Sequence, residues 1–311
     1  MAFFTVVIPL YNKENFIGRT LNSVLEQTYT DFKVIIVNDA STDNSLTVAQ
    51  GYNDERIAII NHDINKGLSA SRNTGIKNAN TEYIAFLDAD DIWKPQFLKK
   101  IYSLIQLYPQ ASLFATKYEE NYPGNVTIDL KIPDLQLQDN HGIVAYFEND
   151  LKKPLLSFSS ICIKKEVFNK AGYFDESITF GEDIDFYIRA NYTFDLAYYN
   201  ESHAVYFIHS TDQITQSGLK GKKVPDFDKY ETLTKNRPDI KKYLDFHRYA
   251  MAKRYKLSGN SKGYNKMVKG LNLANLNYKQ KFLLYAPVFI LKFIKSLKVL
   301  LTKKGINPTT Y

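Results

Sequence analysis

Three aspartates crowd the segment that follows the apolar run YIAFL (83–87): Asp88, Asp90 and Asp91, with Ala89 between the first two. Carboxylates this close repel one another, so the arrangement is costly unless a cation or hydrogen-bond donors compensate. Hard oxygen ligands at a strand end suit Mg²⁺ or Mn²⁺, with water and phosphate oxygens filling the remaining positions. Asp91 also reads as the N-cap of a helix over residues 92–108, which leaves Asp90 for the metal. A second acidic group, Gly181-Glu182-Asp183, follows Phe174-Asp175-Glu176. Locally it reads as the cap and first-turn acid of a helix over 184–190, along which Asp185 and Arg189 stand at i and i+4. His209 closes the apolar run AVYFI and precedes a polar, glycine-containing stretch with Lys220, Lys222 and Lys223, read as a mobile loop. A lone histidine at a strand end is ordinarily a hydrogen-bonded residue.

These groups need a frame, and the first hundred residues supply one. Residues 3–9 form a continuous apolar run ending at Pro9, as expected of a buried parallel strand. Ile17, Leu21, Val24 and Leu25 then recur on one helical face. Further strands are predicted over 32–37, 57–60 and 83–87, with helices from about Asp43, from about Gly67, and over 99–108. Strands separated by helix-length segments make βαβ units and a mostly parallel sheet. Ligands in such sheets bind beyond the carboxyl ends of the strands. There the sequence turns polar: Tyr11-Asn12, Asn38-Asp39 and the aspartate cluster. Asp43 serves equally well as a helix cap or as a site residue. Residues 118–139, with Pro123-Gly124 and Pro133, read as a loop-rich crossover, and helices are expected to fill 226–273.

Composition bounds the rest. A hydrophobic fraction of 44% in 311 residues supports a sizeable core. The single Cys162 excludes an internal disulfide framework and a cysteine-rich zinc site. The N-terminus reads as a strand and not as a signal peptide, so a cytoplasmic chain is expected. The net charge of +7 is unevenly spread. Residues 246–311 hold 14 of the 40 Lys and Arg and none of the 33 Asp and Glu, leaving 26 basic groups in an acidic body.

Five segments carry a resemblance: VVIPLYNKE (6–14), VNDASTDNS (37–45), NKGLSASRNTGI (65–76), YIAFLDADDIW (83–93) and AGYFDESITFGEDIDFYIRA (171–190). Together, in this order and spacing, they resemble the family 2 glycosyltransferases, inverting enzymes of the GT-A fold. The resemblance implies a three-layer α/β sandwich with a mostly parallel central sheet. It implies that Pro9, Tyr11, Asn12 and Glu14 line the nucleotide pocket, that Asp39 bonds the base, typically a uracil, and that Arg72 approaches the base or phosphates. Asp88 and Ala89 would lie on the ribose side and Asp90 on the metal that bridges two phosphates. For His209 it implies the alternative to an ordinary hydrogen-bonded residue, a further metal ligand or diphosphate contact. Asp183 would be the catalytic base, with Glu182 positioning it, the acceptor or the diphosphate. A base is needed because a hydroxyl is a poor nucleophile, and one so placed contributes about 10²–10⁴ in rate.

The expected organisation is a catalytic domain over 1–215, a helical extension over 216–280 and an amphipathic basic tail over 281–311. Within 282–301 the longest uncharged run is 282–291, too short for a spanning helix of about 20 residues. A helix from about Pro287 to Leu301 places Phe289, Ile290, Phe293, Ile294, Leu297, Leu300 and Leu301 on one face, with Lys292, Lys295 and Lys298 opposite or flanking. That pattern suits an anionic membrane surface, and a helix docked on the catalytic domain or on a second subunit is the alternative. No nucleic-acid motif is visible. The expected activity is transfer from a nucleotide-sugar, of UDP type, to a glycan or lipid-linked acceptor. A sugar-nucleotide pyrophosphorylase or a dehydrogenase would need a glycine-rich loop where PLYNKE stands. A nucleotide-sugar-binding scaffold without activity is the non-enzymatic alternative.

Overall fold

The computed structural model describes residues 2–302 other than 131, 133, 134, 136, 152, 153, 209–212 and 214–217. Strands β1 (Phe4–Leu10), β2 (Phe32–Asn38), β3 (Ile57–Asn61) and β4 (Tyr83–Phe86) alternate with helices α1 (Ile17–Leu25), α2 (Ser45–Gln50) and α3 (Leu68–Asn78). There follow β5 (Ile92–Trp93), α4 (Phe97–Leu107), β6 (Leu113–Tyr122), β7 (Val126–Asp129), β8 (His141–Val144) and α5 (Tyr146–Asp150). Then come β9 (Ile161–Lys164), α6 (Lys165–Ala171), α7 (Glu182–Thr193) and β10 (Leu196–Phe207). Helices α8 (Pro238–Leu257), α9 (Ser261–Lys269), α10 (Tyr278–Tyr285) and α11 (Val288–Thr302) complete the described chain.

One sheet runs β3-β2-β1-β4-β9-β6-β10-β5, with β7 on β6 and β8 on β10. The four strands from β3 to β4 are mutually parallel, and β6 pairs in parallel with β10; β9, between β4 and β6, is antiparallel to both. The order reverses at β1, whose chain leads out to β2 on one side and which pairs with β4 on the other. Such a switch point opens a crevice beyond the strand ends.

Side-chain alternation sorts the core into two layers. Phe4, Val6, Ile8 and Leu10 of β1 point into a cluster with Ile17, Leu21 and Val24 of α1 and Phe97, Ile101 and Leu104 of α4. Val7 points the other way, into a cluster with Ile76 of α3, Phe186 of α7 and Tyr243 and Leu244 of α8. Complete burial of each such side chain contributes about 1.5–3 kcal/mol, and the strands are branched and apolar because both faces are covered. The helical C-terminus shares the second cluster, since Leu284 and Leu291 belong to it too.

Three expectations change. Residues 118–129 are not a loop-rich crossover: β6 and β7 form a hairpin whose turn uses Gly124 at φ 87° and Asn125 at φ 59°. β6 opens on the apolar Leu113-Phe114-Ala115, but its second half runs through Lys117, Glu119, Glu120 and Asn121, so no apolar run announces the hairpin. Asp91 caps no helix, because a two-residue strand follows it and α4 begins only at Phe97. The tail helix forms as expected, but its apolar residues divide between two faces. Leu291 is buried, and Ile290 and Ile294 pack on the core, whereas Phe289, Phe293, Leu297 and Leu300 are exposed.

Candidate active site

The ends of β1, β2 and β4 and the start of α7 open on one cavity of about 770 Å³. That volume falls within the range of small-molecule sites, about 300–1,000 Å³. Pro9, Tyr11 and Lys13 reach it from β1, Asp39 from β2, and Asp88, Ala89 and Asp90 from β4; Arg72, Glu182 and Asp183 arrive from two helices.

Arg72 ties these elements together. It lies on α3, which can sit close to β1 because Gly75 faces Val7: a Cβ there would come within 2.3 Å of Val7 Cγ1. One η-nitrogen donates to Glu182 Oε1 and the other to Asp88 Oδ1, each at 2.9 Å. The guanidinium lies over the Phe158 ring, 4.3 Å from its centroid, and the residue is 2% exposed. Burial opposes its charge, but Asp88, Glu182 and Asp183 prevail and raise its pKa above the usual range. Asp88 is thereby linked to the acidic start of α7.

Asp90 pairs with Lys13 at 3.0 Å. Its neighbour Asp91 turns away from the cavity and is fully buried, accepting from Ser159 Oγ at 2.5 Å and from the Phe207 amide at 2.9 Å. Burial first, then Asp90 and Asp88, push its pKa well up. Asp91 thus holds β10 and the Ser159 turn against β4 as an internal structural group. Asp39 accepts from the amides of Lys66 and Gly67, each at 2.8 Å, at the start of α3, and its Oδ1 lies 2.7 Å from His62 Nδ1. A proton on Nδ1 leaves His62 Nε2 to accept from the Thr74 hydroxyl at 2.9 Å.

Asn12 and Glu14 stand behind the cavity lining. Asn12, at φ 50°, accepts from the Thr42 amide at 2.8 Å, and Glu14 accepts from the Asn44 amide at 2.9 Å. Asp43 accepts from the amides of Ser45 and Glu14 at 2.9 and 3.1 Å. These bonds stitch the loop after β1 to the loop after β2, where Ala40 adopts φ 55°. His209 lies outside the described residues, as do residues 210–212 and 214–217 of the loop that follows it.

At the start of α7 the N-cap is Gly181, in the left-handed region at φ 77°, and Glu182 and Asp183 occupy the first turn. Asp183 Oδ1 accepts from the Ile184 amide at 2.9 Å. Burial, followed by repulsion from Glu182, pushes its pKa up to about 7, against the opposing pull of Arg72. A carboxyl poised there is suited to general-base work near neutral pH. Asp185 pairs with Arg189 as its spacing suggests, and it also accepts from Tyr230 Oη at 2.6 Å. Past Asp183 the cavity continues between α5, α7 and α8, lined by Tyr146, Asp150, Tyr187, Tyr243 and His247. These five, and Lys13, carried no signal of their own. Only the position of Lys13 between Asn12 and Glu14 could have drawn attention to it.

A parallel half-sheet with carboxylates at its strand ends thus faces an acidic helix start across one cavity. Residues 5–170, more than half of the chain, match the family model described as glycosyl transferase family 2. The chain belongs to that family. It is 33% identical over 147 residues to the glycosyltransferase GlyA of Streptococcus pneumoniae, covering 47% of this chain and 21% of that protein. It is 32% identical over 199 residues to the uncharacterized glycosyltransferase EpsJ of Bacillus subtilis, covering 60% and 55%. A third relative is the UDP-Glc:α-D-GlcNAc-diphosphoundecaprenol β-1,3-glucosyltransferase WfgD of Escherichia coli, 38% identical over 89 residues, covering 29% and 35%. The matches thus span from about a fifth to a little over half of these relatives' lengths. Among solved structures, S. aureus TarS 1–349 in complex with UDP-GlcNAc superposes with a TM-score of 0.60 at 17% identity, covering 86% of this chain and 90% of that one. The mostly parallel sheet with helices on both faces is therefore the GT-A-like fold.

Proposed function

We propose that this chain is an inverting glycosyltransferase that moves a sugar from a UDP-sugar to a hydroxyl of a glycan or lipid-linked acceptor in surface polysaccharide synthesis. The observation that carries the proposal is the Arg72 bridge. It joins Asp88, at a strand end, to Glu182, 110 residues away from Arg72 in sequence, and so places Asp183 in the same cavity as Asp90. Two similar proteins support the substrate classes: TarS is in complex with UDP-GlcNAc, and WfgD is named for a UDP-Glc donor and a diphosphoundecaprenol-linked acceptor.

Among the described residues no three His, Cys, Asp or Glu side chains gather as metal ligands. The hard-oxygen pair Asp88 and Asp90 still fits Mg²⁺ or Mn²⁺, because such ions are commonly held by one or two carboxylates with substrate phosphates and water. Asp90 would hold the ion with Asp88 beside it, and the bound ion would offset charge on the departing diphosphate. Tyr11 and Pro9 would flank the base, with Asp39 at its polar edge, and Lys13 would face the phosphates. Asp183 takes the proton from the acceptor hydroxyl as its oxygen bonds to the anomeric carbon. The bond from that carbon to the diphosphate oxygen breaks on the opposite face, which inverts the centre. Arg72 keeps Glu182 and Asp88 in register during that exchange.

The tail supports action at a membrane surface. Phe282, Tyr285, Phe289, Phe293, Leu297 and Leu300 are exposed along α10 and α11, with lysines beside them and no acid after residue 245. No described helix is long and apolar enough to cross a bilayer. An aromatic stripe flanked by lysines suits peripheral binding to anionic lipid on the cytoplasmic face.

The test is UDP release from a panel of UDP-sugars with Mn²⁺, with and without glycan acceptors. Turnover is expected in wild type and lost in Asp183→Asn while UDP binding persists. UDP binding without turnover would make the chain a nucleotide-sugar-binding scaffold, and absence of nucleotide binding would end both readings.

A further inference from the structure

Beyond Asp183 the cavity changes character. Tyr187 stands one helical turn further along α7, 5% exposed, and its hydroxyl has no hydrogen-bond partner among the described residues; the same holds for Nε2 of His247 on α8. Both residues line the cavity. Native structures leave few buried polar atoms unpaired, so two that face one cavity call for a partner from within it, a water, an ion or a ligand. Around them the Tyr146 and Tyr243 hydroxyls bond each other at 3.0 Å, and the Tyr146 and Tyr187 rings lie 5.6 Å apart. Tyr243 in turn packs against His247, centroid to centroid 4.3 Å. Asp150 uses one oxygen to accept from the Leu155 amide at 2.8 Å.

We infer that this inner chamber is a pyranose-binding subsite, with Tyr187, His247 and Asp150 as its specificity-determining polar groups; the inference rests on the transferase reading and deepens it. The rings offer apolar faces of the kind that cover C–H faces of a sugar, and the polar atoms offer a mixed set of donors and acceptors for its hydroxyl rim. The residues named here carry no cation, while Lys13 stands at the other end of the cavity beside Asp90 and Arg254 lines its rim further along α8. The chamber's charges are muted too. Burial pushes the His247 pKa down to about 3, which leaves the ring neutral, and burial together with Asp183 raises that of Asp150 to about 7. A pyranose could come from either substrate, as the donor's sugar or as the acceptor's terminal unit, and both lie beside Asp183 when the reaction occurs.

Tyr187→Phe and Asp150→Asn each remove hydrogen-bonding capacity while keeping shape. Calorimetric titration with UDP and with a panel of UDP-hexoses reads the donor arm. Transfer to a panel of para-nitrophenyl hexosides reads the acceptor arm through KM. UDP affinity is expected within twofold of wild type in both variants. Either UDP-hexose affinity falls tenfold or more, which assigns the chamber to the donor's sugar, or glycoside KM rises by as much, which assigns it to the acceptor. The chamber proposal is overturned if neither arm moves in either variant, or if UDP affinity falls in step with that of the UDP-hexose. Wild-type protein that binds UDP and catalyses transfer while both variants behave like it would sink the chamber alone. Wild-type protein that binds no nucleotide would sink the transferase reading, and the chamber with it.

Discussion

The two walls of the cavity are built on opposite terms. On the strand-end wall, charge is answered by charge or by amides: Asp88 by Arg72, Asp90 by Lys13, Asp39 by two backbone N–H groups and His62. On the helical wall, the Tyr187 hydroxyl and His247 Nε2 stand unanswered, and the Asp150 carboxyl is met by neutral groups, the Leu155 amide and the Tyr146 hydroxyl. The first wall is a preorganised electrostatic frame that costs little to hold in place before substrate arrives. The second keeps its bonding capacity for whatever enters.

That contrast is sharpest in stability. Arg72→Met leaves Asp88 and Glu182 facing each other without their shared cation, and breaking a buried pair in this way costs about 3–5 kcal/mol. Tyr187→Phe, on the opposite wall, removes an oxygen that bonds nothing among the described residues and is expected to change stability by less than about 0.5 kcal/mol when both variants are unfolded in urea. Equal losses in the two variants would erase the distinction between the walls.

Acidity offers the next test. If Asp183 works as a base it must be ionised, so kcat/KM should climb about tenfold per pH unit below 7 and level off above it. Stability runs the other way. Asp150 and Asp183 both titrate near 7 in the folded chain against an ordinary 3.8, so the folded state binds more protons between those values. The urea midpoint should therefore decline as pH rises through that window. A flat rate profile would separate Asp183 from proton transfer.

A smaller effect concerns the tail. Phe289 and Phe293, 72% and 68% exposed, contribute nothing to the core. Replacing both by Ser is expected to cut co-sedimentation with phosphatidylglycerol-containing vesicles at least tenfold, since insertion of each ring is worth about 1.5–3 kcal/mol. The melting temperature should not move. Retained vesicle binding would favour a protein partner for that face. The smallest change is at Ala40, held at φ 55° in the loop that Asn12 anchors. There Ala40→Gly relieves a left-handed strain of roughly 1–2 kcal/mol, offset in part by the freedom glycine adds to the unfolded chain. A net gain of up to about 1 kcal/mol is expected.

Most of the sheet was legible because its strands are buried on both faces and so appear as unbroken apolar runs. The β6–β7 hairpin was not, because Glu119, Glu120 and Asn121 interrupt its pattern. The strand-end residues were legible for a related reason: their chemistry is local, packed into a few consecutive positions after each run. Asp91 misled because a capping residue and a buried tether share the same amino acid. The tail helix was visible in the sequence, but its division into a docked and an exposed face depends on where α8 lies. The helical wall could not be read at all. Asp150, Tyr187 and His247 are scattered over nearly a hundred residues and meet only through the packing of three helices.

Helix α8 gives its Tyr243 and His247 side to the cavity and also touches the last helix, α11. The matched family segment ends at residue 170, well before that helix begins. Hybrids that join the front half of one relative to the back half of another would therefore keep a strand-end wall of one origin and a helical wall of another. Selectivity in such hybrids should follow the donor of the back half more than the overall likeness of the parents.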